Sequence, residues 1–327
     1  MAVRVYRSLD EVPPDFGPSA LTIGNFDGVH AGHRRIFRRV RDLAAQHGLK
    51  PSVLTFDPHP TRVVAPDRAP RLMTSCDERA VLMAEEGIEQ VLILPFRDEV
   101  AHLSPEQFAT GILVEKLCVR AVVVGDNFRF GYRQAGNTDV LRALGERLGF
   151  TTEVVKAVTI RGILVSSSML RRLVESGAVA RAGRLLARPF SLAGDVVPGR
   201  GIGHTKTVPT LNLRPDSEVI PKPGVYVTCT TDLDSKRQWQ SVTNVGYRPT
   251  FGADEAISIE TFLLEPLAGE SPRRIRVAFL WRLRDERKFE SAEALKAQIL
   301  RDVGRTRAYF RRLERNKALL CRNSGLR

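Results

Sequence analysis

The sequence predicts an α/β protein in two parts: an N-terminal unit built on a parallel sheet, then an antiparallel β-barrel with a long terminal helix. Three observations carry this. From Ala20 to about Ile160, short apolar runs alternate with amphipathic helical patterns, which implies parallel strands joined by crossover helices. Beyond Arg188-Pro189-Phe190, extended segments follow one another with no helix between them, which implies an antiparallel sheet or small barrel. The chain then closes on a charged helical stretch over residues 291–316.

The elements follow in order. Residues 20–24 form the first apolar run, and Ile36, Val40, Leu43 and Ala44 recur behind it at helical spacing. Residues 52–56 form the next strand. Asp77 is read as the N-cap of a helix carrying Val81, Leu82 and Met83, and residues 91–94 are apolar again. Ser104-Pro105-Glu106-Gln107 combines a cap, a proline at the first helical position and Gln at the capping-box position; Phe108, Ile112 and Leu113 follow on one face. Residues 121–124 run into Gly125. Val140, Leu141, Leu144 and Leu148 mark a helix over 138–148, and 152–160 is extended. Ser166-Ser167-Ser168 caps a helix with Arg171 and Arg172, and a second short helix covers 179–186.

The break at Arg188 sets the domain boundary: 1–187, 188–316, and a frayed tail at 317–327. Five later strands are expected, at 190–197, 224–231, 238–245, 256–264 and 274–283. On the last helix, Leu295, Ile299, Val303, Tyr309 and Phe310 are the expected inward positions.

Composition bounds the function. The chain has 327 residues and a formal charge of +13, so its field favours anionic partners. Aromatics make up 7%, too few for the aromatic-studded basic surface that nucleic-acid binding wants. Arg-rich solvated helices account for the charge, and no nucleic-acid partner is expected. No run reaches the ~20 apolar residues of a membrane span, and the start lacks a signal core, so a soluble cytoplasmic protein is expected. Cys76, Cys118, Cys229 and Cys321 are scattered without a CxxC pair, which argues against a metal cluster or disulfide framework. Whether the chain self-associates is left open.

The chemistry centres on Ile23-Gly24-Asn25-Phe26-Asp27-Gly28-Val29-His30-Ala31-Gly32-His33. This is a strand, a Gly-rich turn and a helix N-terminus with two imidazoles. Glycine lets backbone approach a ligand, and a helix N-terminus offers unpaired N–H groups and partial positive charge, so phosphate fits there. There is no HExxH and no third ligand at zinc spacing, so His30 and His33 are read as phosphate contacts rather than metal ligands. Asp57-Pro58-His59-Pro60 and the stretch 125–131 are two further oddities at strand ends, where ligands of parallel sheets bind; one site would unite all three. Ser167, Ser168 and Arg171 offer a second anion site at a helix start, although as caps alone the serines need no function. His59 is equally a turn residue between prolines, and of Phe128 and Phe130 one is expected to be core. In the second part, residues 194–212 form a Gly-rich segment with basic residues but no Walker pattern. Glu260 is an acid inside an apolar strand run: either a working carboxylate or a solvent-facing residue of an alternating strand.

These strings carry a family resemblance. Gly24 to His33 resembles the signature turn of bacterial bifunctional riboflavin kinase/FMN adenylyltransferases (FAD synthetases). Thr55-Phe56-Asp57-Pro58-His59-Pro60 is similar to the family's second motif, Gly125-Asp126-Asn127-Phe128-Arg129-Phe130-Gly131 to its third, and Val165-Ser166-Ser167-Ser168-Met169-Leu170-Arg171 to its fourth. Pro209-Thr210-Leu211-Asn212, Pro223-Gly224-Val225-Tyr226 and Ile259-Glu260-Thr261-Phe262 resemble the riboflavin kinase module.

The resemblance implies a Rossmann-like nucleotidyltransferase domain followed by a kinase barrel. It implies riboflavin, FMN, FAD and ATP as ligands, with Mg²⁺. ATP phosphates would contact Gly24, Phe26, Asp27, Gly28, His30 and His33, with Ser167, Ser168 and Arg171 on the β- and γ-phosphates. His59, Asn127, Phe128 and Phe130 would take the flavin nucleotide. In the kinase, Gly199, Arg200, Gly203 and Tyr226 would bind ATP, Thr210 and Asn212 would hold the metal, and Glu260 would be the base. One departure stands out: His204-Thr205-Lys206-Thr207-Val208 replaces the single aromatic that usually precedes Pro-Thr. An adenylyltransferase with an impaired kinase is therefore the alternative expectation. A non-enzymatic RNA binder or flavin carrier is the reading from another class.

Overall fold

The computed structural model describes residues 3–198, 210–248, 256–267 and 269–323, and clusters into two units, Met1–Met169 and Leu170–Arg327.

In the first unit, β1 (Arg4–Tyr6), β2 (Ser19–Ile23), β3 (Lys50–Asp57), β4 (Gln90–Pro95), β5 (Val119–Gly125) and β6 (Thr151–Val155) form one parallel sheet, in the order β1-β4-β3-β2-β5-β6. Helix α1 (Ala31–His47) crosses from β2 to β3, and the short α2 (Pro60–Val64) and then α3 (Cys76–Ala84) lead to β4. Two short helices, α4 (Asp98–Ala101) and α5 (Pro105–Gln107), precede β5, and α6 (Thr138–Leu148) precedes β6. Leu21 and Ile23 join one core with Phe108, Ile112 and Leu141, while Ala20 joins another with Phe37, Val40 and Met83. Both sheet faces are thus covered, which is why these strands read as unbroken apolar runs.

The capping box forms as expected: Ser104 Oγ accepts the Gln107 N–H at 3.1 Å, and Gln107 Oε1 accepts the Ser104 N–H at 2.8 Å. Behind it, residues 108–116 adopt the wider π geometry, which a 3.6-residue period does not foresee. Asp77 is not the cap of α3. Ser75 is, with its Oγ accepting the Glu78 N–H at 3.2 Å; Asp77 sits in the first turn, where negative charge meets the helix dipole. On α3, Leu82 and Met83 are buried and Val81 is exposed. The extended run at 152–160 divides into β6 and β7 (Thr159–Ile160), which pairs with β8 (Ile163–Leu164) in a small hairpin.

Helices α7 (Ser167–Glu175) and α8 (Val179–Leu186) lead to six strands: β9 (Phe190–Val197), β10 (Thr210–Pro215), β11 (Gly224–Asp232), β12 (Gln238–Arg248), β13 (Ala256–Leu263) and β14 (Arg274–Arg284). They close an antiparallel barrel in the order β10-β13-β12-β11-β14-β9. The sequence reading lacks β10, because its apolar alternation is only Leu211 and Leu213 and a Gly-rich segment precedes it. Yet β10 pairs with both β9 and β13 and so completes the barrel.

Inside, Leu192, Ile259, Val277 and Phe279 are buried beside a chain of five hydroxyls. Thr261 meets Thr243 at 3.0 Å, Thr243 meets Thr228 at 2.8 Å, Thr228 meets Ser241 at 2.8 Å, and Ser241 meets Thr230 at 2.8 Å. A hydroxyl both donates and accepts, so each satisfies its neighbour in an otherwise apolar interior.

Helix α9 (Ala292–Asn323) runs past the frayed tail expected from residue 317. Val303 and Phe310 are buried as expected, and Val303 packs on Val225 and Val242 of the barrel's outer face. Leu295 and Ile299 instead stay 42% and 39% exposed. The helix turns Gln298, Asp302 and Thr306 inward. Asp302 accepts from Arg284 Nε and from Gln298 Nε2, each at 2.9 Å, and that pairing is what lets a carboxylate be buried there.

Candidate active sites

In the parallel sheet β2 lies between β3 and β5. The turn after Ile23, the Asp57-Pro58-His59-Pro60 string and the loop after Gly125 therefore leave the same sheet edge from three adjacent strands, as the sequence reading requires. The turn is tightly wound. Phe26 and Val29 have φ of 50° and 39°, in the left-handed region that side chains avoid. Gly28 has φ 80°, and a Cβ on Gly24 would come within 2.9 Å of the Phe26 ring, so both positions call for glycine. Phe26 is buried edge-on to Phe37 and to His33, with ring centroids 4.9 and 5.1 Å away. The buried Asp27 carboxylate accepts from the N–H groups of Met73 and Thr74 and from the Thr74 hydroxyl, at 3.0 to 3.1 Å. Thr74 Oγ1 in turn accepts the Gly28 N–H at 3.0 Å.

His30 caps α1: its Nδ1 accepts the His33 N–H at 3.2 Å. The neutral ring then carries its proton on Nε2. The two imidazoles stack with centroids 3.5 Å apart and planes 19° off parallel. The two imidazoles thus stand together at the start of α1, where the helix dipole is positive, which suits a phosphate.

The other motifs tie into this turn. His59 caps α2, its Nδ1 accepting the Thr61 N–H at 3.2 Å, and its Nε2 lies 3.0 Å from the Asn25 side-chain amide. Ser167 Oγ donates to the Asp27 carbonyl at 2.9 Å. Of the three serines, Ser166 takes the capping role, accepting the Met169 N–H at 3.3 Å. Ser168 is exposed, and Arg171 follows Ser167 one turn on along α7. Asn127 is exposed, and Phe128 is half-buried and stacked on Phe130 at 5.4 Å. Phe130 is buried near Phe108 at 5.9 Å, which is the core role weighed for one of this pair. Thr74 escaped sequence reasoning: it has no pattern of its own, and its partners lie 46 and 47 residues away.

On the barrel, register builds the second site. Asn212 pairs with Glu260 across β10 and β13, and Asn244 pairs with Glu260 across β12 and β13. Directly opposed residues share a face, so two amides flank the carboxylate on the outer face. Thr210, two residues from Asn212, is on that face as well, opposite Phe262. Glu260 is half-buried and accepts the Ser258 hydroxyl at 3.0 Å. Tyr226 is elsewhere: it pairs with Thr243 on the interior face, donates to the Lys222 carbonyl and accepts from Arg282 Nε at 3.3 Å. Burial pushes its phenol up, against the Arg282 charge. Gly199, Arg200, Gly203 and the 204–208 stretch lie outside the described residues. Among the described residues no group of three or more His, Cys, Asp or Glu is placed to hold a metal ion.

Comparison with known proteins finds two families in succession along the chain. The FAD synthetase family model matches residues 13–169, and the riboflavin kinase family model matches 186–310. A bifunctional riboflavin kinase/FMN adenylyltransferase of Pseudomonas fluorescens is 36% identical over 94% of this chain and 97% of its own. Its counterpart in Escherichia coli K12 is 33% identical with the same coverage. A solved structure from Streptococcus pneumoniae, described as a macrolide-efflux protein, superposes with a TM-score of 0.81 at 25% identity, over 94% of this chain and 99% of that one. A signature turn backed by three further motifs, a barrel with an acid between two amides, and relatives aligned over nearly their whole length lead to one conclusion: the chain belongs to the bifunctional riboflavin kinase/FMN adenylyltransferase family.

Proposed function

We propose that this chain phosphorylates riboflavin to FMN with ATP, then transfers AMP from a second ATP to FMN, giving FAD and pyrophosphate. The observation that carries this is the presence in one chain of an FAD synthetase match over 13–169 and a riboflavin kinase match over 186–310.

In adenylyl transfer, an FMN phosphate oxygen attacks the α-phosphorus of ATP. The bond to the bridging oxygen breaks and pyrophosphate leaves. The nucleophile is already anionic, so alignment and charge neutralisation suffice without a strong base. His30, His33 and the turn at Gly24, Phe26, Asp27 and Gly28 hold the ATP phosphates. Ser167, Ser168 and Arg171 take the departing β- and γ-phosphates. Asn127, Phe128, Phe130 and His59 receive the flavin nucleotide. The stacked, capped histidines support this reading.

In the kinase, Glu260 takes the proton of the ribityl 5′-hydroxyl as that oxygen attacks the γ-phosphorus, and ADP leaves. Thr210 and Asn212 supply the hydroxyl and amide oxygens that suit Mg²⁺, which neutralises phosphate charge when bound. Gly199, Arg200, Gly203 and Tyr226 belong to the ATP side of this reading. The adenylyltransferase domain takes 1–187 and the kinase domain 188–316. Unpaired cysteines at 76, 118 and 229 support a reducing, cytoplasmic setting.

The test is a product assay on the purified chain with riboflavin and Mg-ATP. FMN followed by FAD is expected. FAD formed only when FMN is supplied would leave the kinase half of the reading wrong and point to the altered 204–208 loop.

A further inference from the structure

Arg79 lies on the face of α3 that also buries Ala80, Leu82 and Met83, and it is only 2% exposed. Its guanidinium donates to the Asn25 main-chain carbonyl, to Thr55 Oγ1 at 3.3 Å and to Cys76 Sγ at 2.7 Å, while its Nε has no partner. Asn25 belongs to the turn that carries His30. Thr55 belongs to the second motif, and its own hydroxyl lies 3.4 Å from the same Asn25 carbonyl.

None of these partners is an anion, and among the described residues Arg79 forms no direct ion pair; the Cys76 thiol stands between it and the Asp57 carboxylate. That sets it apart. The buried Glu86 is paired with Arg34 and Arg38, and the buried Asp302 with Arg284. An unpaired buried cation is costly. This one sits behind a turn whose open side suits phosphate, and in a poorly screened interior its field reaches across that turn.

We propose that Arg79 is a positioning residue for adenylyl transfer: it fixes the junction of the first two motifs, and its unpaired charge is balanced across the turn by the phosphates of bound ATP. The proposal rests on the FAD-forming reading above. Arg79 does not touch the nucleotide; it acts through the turn.

Two variants of the full chain test this, Arg79→Met and Arg79→Lys. Met removes the charge at similar length, and the Asn25 carbonyl keeps the Thr55 hydroxyl as a partner. In Arg79→Met, kcat/KM for ATP in FAD formation should fall roughly 10- to 100-fold, mainly through KM. The thermal midpoint without nucleotide should not fall, because removing an unpaired buried charge relieves the resting protein. Riboflavin phosphorylation by the same preparation should be unchanged. Arg79→Lys should recover most of the loss. An unchanged kcat/KM in Arg79→Met overturns the proposal. So does a lysine variant as impaired as the methionine one, or a lowered midpoint in both, since either would leave Arg79 a structural prop. If the unsubstituted chain makes no FAD from FMN and ATP, the functional reading itself falls, and the proposal with it.

Discussion

In the first unit, the candidate site residues hang on one irregular turn; on the barrel they stand on three regular strands. The turn places Phe26 and Val29 in left-handed backbone, a strain on the order of 1–3 kcal/mol each. It holds that shape because segments remote in sequence grip it: Thr74 bonds Asp27 and Gly28, Ser167 bonds the Asp27 carbonyl, and His59 meets Asn25. On the barrel, Asn212, Glu260 and Asn244 need no such grip, because ladder pairing sets their spacing. Strain can aim backbone N–H groups at a ligand, which a regular strand cannot do, since its N–H groups are spent on its neighbours. Regular pairing can set a carboxylate between two amides with no local cost. The first design should fail when a distant brace is removed, and the second when its own side chains change.

Three experiments probe that contrast. Glu260→Gln should lower riboflavin phosphorylation by about 10²- to 10⁴-fold, while FAD formation from supplied FMN continues; loss of both in a folded variant would break the separation into two sites. His33→Ala should lower FAD formation by about 10²- to 10³-fold and spare FMN formation. Unchanged FAD output would remove the start of α1 from the reaction. The smallest effect comes from a matched pair, Thr74→Val and Thr228→Val. Each deletes a buried hydroxyl with two partners, at a cost of about 1–3 kcal/mol in stability by denaturant unfolding. Only Thr74→Val should also slow the reaction of its own unit. Equal sensitivity of both activities would erase the distinction between a braced turn and a self-registering barrel.

The residues of the turn were legible because glycines and histidines set between an apolar run and a helical pattern suit an anion and suit little else. Glu260 was legible because an acid in an apolar strand asks for a reason. What stayed hidden is polar and buried. Hydrophobic periodicity gave Leu295 and Ile299 to the inner face of α9, but that face carries Asp302, made tolerable by Arg284, 18 residues earlier. Thr74, Arg79 and the barrel hydroxyls are likewise set by partners far along the chain. Arg79 alone left a trace, as a charge on the apolar stripe of α3. β10 was hidden for another reason: a strand with two apolar positions is too short for alternation to register.

The chain of hydroxyls inside the barrel has one proton more than it has links. Five hydroxyls joined by four links use four protons, one per link. The fifth proton belongs to any one of the five groups, which then accepts from its neighbours in the chain while the groups on either side point toward it. Passing that spare proton to an adjacent group turns two hydroxyls: one leaves the shared contact and its neighbour fills it. The barrel core therefore reorders link by link rather than as a whole, and Thr228→Val would divide it into two shorter chains, Thr261–Thr243 and Ser241–Thr230, each with a spare proton of its own.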